Sequence, residues 1–466
     1  MSSSETIEKR TTQPRAEKLP WLYDLILLVI MLAGLYFRFT GVNWDANQHL
    51  HPDERFLTMV ATSIEPVGTS YVDGERQWGS LGDSLKEYFN TDVSRLNPNN
   101  HGYNFYVYGT LPLFITRYVG EWMGQTGYDE INLVGRQLSA IADVLTVFLV
   151  YLIAKKLYNR RIALLAALFD AFAVLQIQLS HYATVDTFVN LFTFLAFYFA
   201  VCLLMARDKG EDIRRHPLTS PWFYILFGVG LGMAMASKVS SAPVAALLPA
   251  AAAIRFFQLS KEGQRKLFAP VLANLVIAAI VAFFVFRIFQ PYAFTGPGFF
   301  GLSLNEKWLT ALHDLQVQST GDVDFPPALQ WADRPITFAF QNLTVWGLGL
   351  PLGILAFAGF LWMAWRMIRG EWQRHALIWV WTAVYFAWQS LSFTPSMRYL
   401  LLIYPTLAII AGWAVIRAWD EGRETKRHWL RPTAAVIGSL AAIGTIAWAY
   451  ALIQIYESPM TRVSAS

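Results

Sequence analysis

Two adjacent carboxylates, in the tetrad His51-Pro52-Asp53-Glu54, follow shortly after the first long apolar run of the chain. Placed there, they would sit at a membrane surface, at the start of a long extramembrane loop. A carboxylate in that position can take a proton from a hydroxyl of a lipid-borne substrate. The same four residues also read as the start of a helix: proline presets φ at the first helical position, and acids complement the helix dipole. Both readings stay open on the tetrad alone.

The elements around the tetrad follow from composition. The 466 residues are 55% hydrophobic and 15% charged, with a mean hydropathy of +0.35. A soluble chain carries about 25% charged residues, so this is a polytopic membrane protein. The 18 Trp, 20 Tyr and 33 Phe suit interfacial belts and lipid-facing surfaces. Cys202 is the single cysteine, which excludes an intrachain disulfide and a cysteine metal site. The net charge of +4 is spread over short loops, and a nucleic-acid partner is not expected.

Hydropathy predicts an all-α protein with eleven membrane helices, near 21–40, 131–153, 162–180, 185–206, 221–237, 240–257, 268–289, 343–367, 375–392, 398–417 and 431–454. Ser237-Lys238-Val239-Ser240-Ser241 interrupts the apolar stretch 221–257, which reads as a hairpin with Lys238 at its tip. Most of the 37 Lys and Arg residues fall in the loops that share a side with the N-terminus. The positive-inside rule therefore predicts a cytoplasmic N-terminus. The expected organisation is a cytoplasmic tail at 1–20, and a transmembrane module at 21–289 that includes the first external loop at 41–130. An external loop at 290–342, closing helices at 343–456 and an external tail at 457–466 follow. Phe56, Leu57, Val60 and Ile64 give 53–64 an amphipathic spacing. That segment and the aromatic stretch 105–123 read as helices lying in the interface.

This topology gathers polar residues at one membrane edge: Asp53, Glu54, Arg136, His181, Tyr182, Asp186, Lys238, Arg287, Gln290, Tyr292, Arg398 and Tyr399. Charges at that depth are costly unless paired or used. They could form a structural ion-pair network. They could also transfer a sugar from a lipid phosphate, with cations stabilising the departing phosphate and a carboxylate taking the acceptor's proton. Such a donor needs no nucleotide loop, and none is present in the sequence.

The sequence resembles the protein mannosyltransferase-like superfamily of GT-C membrane glycosyltransferases, which includes protein O-mannosyltransferases and the lipid A aminoarabinose transferase. Asp53-Glu54 resembles the family's acidic pair in the first external loop. Tyr108-Gly109-Thr110-Leu111-Pro112-Leu113 resembles its interfacial helix, and Arg136-Gln137-Leu138-Ser139 its Arg-x-x-Ser opening of helix two. His181-Tyr182-Ala183-Thr184-Val185-Asp186 resembles its second acidic motif. Gly230-Leu231-Gly232-Met233-Ala234-Met235-Ala236-Ser237-Lys238 resembles its Gly-rich helix ending in Ser-Lys. Arg398-Tyr399-Leu400-Leu401-Leu402-Ile403-Tyr404-Pro405 resembles its Arg-Tyr-to-Pro segment. The likeness runs over most of the chain and is weakest at 290–342. It implies a GT-C fold and an inverting transfer from a polyprenyl-phosphate sugar to a lipid, glycan or protein hydroxyl on the extracytoplasmic face. It also implies that the catalytic residues are Asp53 as the general base, Glu54 orienting it or the acceptor, and Asp186 holding the acid-rich site or a basic partner in place. Lys238, Arg398, Tyr399, Arg136 and His181 would bind substrate. No β-trefoil domain is evident, which sets the chain apart from eukaryotic protein mannosyltransferases. No cofactor is expected; the one metal arrangement the sequence would permit is a divalent ion shared by Asp53, Glu54 and His181. The competing class is a proton-coupled secondary transporter that uses Asp143 and Asp170, near the middle of the second and third helices. The sequence shows no inverted repeat and no matched pair of broken helices to support it.

Overall fold

The computed structural model describes residues 20–72, 75–207, 216–321 and 326–458. The basic residues of 1–19 and Lys209, Arg214 and Arg215, which contribute to the positive-inside reading, lie outside them. Helix α1 (Pro20–Phe39) leads into a loop and then α2 (Pro52–Ser63). Strands β1 (Thr69–Val72) and β2 (Glu75–Trp78) pair antiparallel, and α3 (Leu81–Tyr88) and α4 (Thr110–Met123) complete the first long loop. Then come α5 (Tyr128–Leu157), α6 (Arg160–Ala171), α7 (Val174–Ser180), α8 (Asp186–Met205) and α9 (Pro221–Ser237). A 3₁₀ turn (Val239–Ala246) passes into α10 (Leu247–Phe256), followed by α11 (Lys261–Phe289). The second long loop holds α12 (Glu306–Thr320) and the single turns α13 (Pro326–Leu329) and α14 (Phe338–Gln341). Helices α15 (Leu350–Arg366), α16 (Trp372–Ser390), α17 (Tyr404–Glu424) and α18 (Leu430–Glu457) close the chain. A 3₁₀ segment (Met397–Ile403) feeds directly into α17.

All eleven apolar segments read from sequence fall on helical elements, but their count as spans differs. Among the described residues, eight helices are long and apolar enough to cross a membrane, or nine if α6 and α7, bent by 55°, form one span. The difference has two sources. Helix α9 has only 17 residues. The stretch Leu350–Ser390 counts as one helix of 41 residues, although Gly370 at its middle has φ +102° and breaks it. A straight helix of that length would be about 60 Å long at ~1.5 Å per residue, twice a bilayer core of about 30 Å.

The chain is a multi-pass membrane protein. Helix α17 is enclosed by α5, α6, α15, α16 and α18 and buries Leu407, Ile409, Ile410 and Trp413. Helices α1, α11 and α18 keep Leu28, Val29, Ile280, Phe283, Leu440 and Ile443 exposed. Faces of that composition belong against lipid. Helices α5, α8, α9 and α11 pack in sequence, side by side. Gly228 and Gly232 let α9 touch the α11 backbone, since a Cβ at either would lie 2.6 Å from a carbonyl oxygen of α11.

The first long loop departs from the all-helical expectation in two places. One is the β1–β2 hairpin, with Thr69 opposite Trp78 and Val72 opposite Glu75. Helix α4 begins at Thr110 rather than 105. Before it, the Gly109 N–H bonds to the Ser237 carbonyl at 3.1 Å, and a Cβ at Gly109 would stand 2.1 Å from the Ala236 carbonyl oxygen. The stretch ahead of α4 is thus spent on docking to the end of α9, beside Lys238.

Candidate active site

The tetrad opens α2. His51 caps α2, and its Nδ1 accepts the Glu54 N–H at 3.2 Å. Burial holds the His51 imidazole below its ordinary value, against the pull of Asp53 and Glu54, so the ring is suited to accept this bond in its neutral form. Successive residues on a helix point about 100° apart. Here that divergence separates the two carboxylates.

Glu54 points inward and is fully buried. Its oxygens accept from Arg136 Nε at 2.7 Å and Nη2 at 2.8 Å, and from the Ala183 N–H at 2.7 Å. Arg136 also donates to both oxygens of Asp45, at 3.0 and 2.9 Å, and to the Val42 carbonyl at 2.8 Å. These bonds occupy all five guanidinium donors. Burial works against the charge on Asp45, yet the Arg136 guanidinium and the Leu50 N–H hold its carboxyl below the usual range. Gly135 permits the close approach, because a Cβ there would meet that of Ala183 at 2.6 Å.

Asp53 points outward and pairs with Arg398. Tyr108, ahead of α4, hydrogen-bonds the Asp53 carboxylate, and burial together with that charge raises its phenol above the ordinary value. Asp186, at the first turn of α8, accepts from Lys238 Nζ at 2.9 Å. The Tyr399 ring lies between the two cations, 5.2 Å from Lys238 Nζ and 5.3 Å from the Arg398 guanidinium carbon. Four elements distant in sequence thus bring Asp53, Arg398, Tyr399, Lys238 and Asp186 together. Asp53 and Arg398 remain 26% and 31% exposed and Lys238 28%, whereas Asp186 is nearly covered at 7%. A cavity of about 30 Å³ adjoins Asp186, Lys238, Tyr385, Gln389, Arg398 and Tyr399. That is about the space of one water.

Three residues expected in the site stand outside it. Glu54 and Arg136 are closed into the buried network just described. His181 is also fully buried, its ring nitrogens 2.7 and 2.8 Å from the Ile177 and Thr40 carbonyls and its face stacked on Tyr456. Among the described residues, no three His, Cys, Asp or Glu side chains are grouped to hold a metal ion. The triad Asp53, Glu54 and His181 does not converge, because Arg136 takes Glu54 and backbone carbonyls take His181. Sequence reasoning gave no role to Tyr108, Asp45 or Arg38. Asp45 and Arg38 carried a signal, being charges at the end of a membrane helix that call for partners.

Asp143 and Asp170 are both fully buried. Arg38 Nε donates to Asp143 Oδ2 at 2.7 Å, and the Gln176 amide donates to Asp170 Oδ1.

Fold and site together define a polytopic membrane protein with an ionic centre at one end of its helices. The family model for dolichyl-phosphate-mannose-protein mannosyltransferase matches residues 113–290, a stretch that holds Asp186 and Lys238. No curated protein sequence matches the chain. The fold is similar to that of the Archaeoglobus fulgidus oligosaccharyltransferase tethered to an acceptor peptide with an NVT sequon. There the TM-score is 0.59 at 17% identity, over 95% of this chain and 56% of that one. A complex of the archaeal enzyme with an inhibitory peptide and a dolichol-phosphate gives 0.54 at 14%, over 95% and 57%. ArnT from Cupriavidus metallidurans bound to undecaprenyl phosphate gives 0.52 at 14%, over 95% and 76%. The chain spans little more than half the length of the archaeal protein. Its fold is that of these membrane glycosyltransferases.

Proposed function

We propose that the protein transfers a sugar from a polyprenyl-phosphate donor to an acceptor hydroxyl of a lipid, glycan or protein, on the extracytoplasmic face and with inversion. The observation that carries this reading is the alternating set Asp53–Arg398–Tyr399–Lys238–Asp186. It offers two cations and a partly exposed carboxylate where helix ends meet the membrane edge. The lipid phosphates bound by two proteins of similar fold support the donor class.

In this reading the phosphate draws Arg398 from Asp53 and Lys238 from Asp186, which opens the narrow site. Tyr108 keeps Asp53 oriented as Arg398 leaves. The acceptor oxygen attacks the anomeric carbon, its proton passes to Asp53, and the bond from that carbon to the phosphate oxygen breaks. Arg398 and Lys238 stabilise the charge that grows on the departing polyprenyl phosphate. Tyr399 sets the spacing of the two cations, and Asp186 returns to Lys238 when the product leaves. Glu54, Arg136 and His181 position the site from beneath it. No step requires a cofactor. A transporter reading draws no comparable support, since Asp143 is closed by Arg38.

Lipid extracts of membranes with and without the chain test the activity. A polyprenyl-phosphate sugar should accumulate when the chain is deleted, and mass spectrometry would identify it. Unchanged lipid-linked sugars together with an unchanged envelope glycan profile would refute the assignment. Lys238→Ala and Arg398→Ala should each weaken binding of undecaprenyl phosphate by about tenfold to a hundredfold, from the loss of roughly 1.5–3 kcal/mol for a bond between charged groups. Equal affinity in folded variants would make both cations structural.

Orientation has its own test. Leu81 in α3 is 76% exposed, and the native thiol of Cys202 is buried. Leu81→Cys should react with an impermeant thiol reagent in spheroplasts. Reaction only after the membrane is opened would place the site on the cytoplasmic face.

A further inference from the structure

Four buried side-chain atoms near the α6–α7 bend have no hydrogen-bond partner among the described residues: Arg38 Nη2, Asp143 Oδ1, Asp170 Oδ2 and Gln176 Oε1. All four residues are 0% exposed. They form one cluster. Arg38 Nε holds Asp143 Oδ2 at 2.7 Å, while Nη1 donates to the Gly34 and Ala171 carbonyls at 3.0 and 2.7 Å. Ala171 follows Asp170, whose Oδ1 accepts from Gln176. Asp170 interacts electrostatically with both Asp143 and Arg38. Helices α1, α5, α6 and α7 each contribute one polar group, and the two carboxylates share a single guanidinium. Unmet polar atoms and uncompensated charge are both expensive inside a bilayer.

Charge decides between the ways of meeting this cost. Arg38 Nη2 can only donate, through two N–H groups, and Asp143 Oδ1 and Gln176 Oε1 can only accept. If Asp170 is ionised, two carboxylates face one guanidinium and the cluster keeps a net negative charge. If Asp170 Oδ2 carries a proton, the charge cancels, and its O–H and an Nη2 N–H face the two remaining acceptors. A buried water makes up to four hydrogen bonds, accepting two and donating two. We propose that Asp170 retains its proton and that one water joins these four atoms at the α6–α7 bend. A sodium ion on the three oxygens would also cancel the charge. It would, however, set a second cation beside the guanidinium and leave both N–H groups of Nη2 unmet.

The site has a structural consequence. The 55° bend between α6 and α7 sets where α7 ends. The next residues bring the Ala183 N–H to Glu54 and Asp186 to Lys238. The cluster is therefore a positioning device for the ionic centre, and it stands whether or not the sugar-transfer reading holds.

The test uses the full chain in nanodiscs at neutral pH. Infrared spectra with carbon-13-labelled aspartate should show the carbonyl stretch of a protonated carboxylic acid, which Asp170→Asn should lack. The Tm should not change when sodium is replaced by choline. Asp170→Asn, neutral and of the same shape, should shift the Tm far less than Asp143→Asn, which strands the Arg38 charge. A missing carboxylic acid band overturns the proposal, as does a Tm that rises with sodium in the parent. If Asp170→Asn does not fold, the spectrum and the sodium dependence of the parent decide alone.

Discussion

Asp53→Asn is expected to lose sugar transfer by about 10²–10⁴-fold, the usual cost of removing a general base, while inserting and melting like the parent. The expectation follows from where Asp53 lies. It is partly exposed, it is held from two sides by Arg398 and Tyr108, and it contributes nothing to the buried core. Asparagine keeps the shape and can still accept from Tyr108, but it cannot take a proton from the acceptor. The loss should appear in kcat, because the phosphate contacts proposed for Arg398 and Lys238 survive. Undecaprenyl phosphate should bind the variant at least as tightly, since Arg398 no longer has to leave a carboxylate. Near-parental turnover by folded Asp53→Asn would remove Asp53 from the chemistry and shift the role of base to Asp186. A fall in donor affinity instead would mean that Asp53 acts through Arg398 alone.

Much of this arrangement was legible in the sequence, for identifiable reasons. Apolar length set the positions of the helices, and 221–237 falls on α9 to the residue. Amphipathic spacing located α2 within a residue at either end. Membrane depth alone grouped Asp53, Asp186, Lys238, Arg398 and Tyr399, because costly charges at one level tend to meet. Depth could not say which way a side chain turns about its helix. For that reason Glu54, Arg136 and His181 were grouped with the site although they turn inward to Asp45, Ala183 and Tyr456. Partners for Arg38 were equally illegible, since its carboxylate lies 105 residues away in sequence. The start of α4 was misplaced because a backbone bond from Gly109 to Ser237 leaves no trace in hydropathy.

The largest loss of stability is expected from Arg136→Ala. Removing one partner of a buried ion pair typically costs roughly 3–5 kcal/mol, because it leaves a charge buried and unpaired. Here Asp45 and Glu54 would both be stranded at 0% exposure. Arg136→Lys should recover little, since an ammonium cannot fill five directions at once. Combining Arg136→Met with Asp45→Asn and Glu54→Gln should recover most of the stability by removing the charges along with their partner. Activity should not return with it, because Glu54 holds the Ala183 N–H that leads into Asp186. Acid should act in the same direction as Arg136→Ala. A carboxyl held below its ordinary value of 3.8, as Asp45 is, stabilises the fold fully above that value. The contribution is lost as pH falls through the lower, folded value. Chemical unfolding in detergent, followed by the fluorescence of Trp44 over Arg136, measures both effects. An Arg136→Ala protein that unfolds at the parental midpoint would mean that water or relaxation repairs the site, and that the buried ion pairs do not hold α2 and the start of α8 in register.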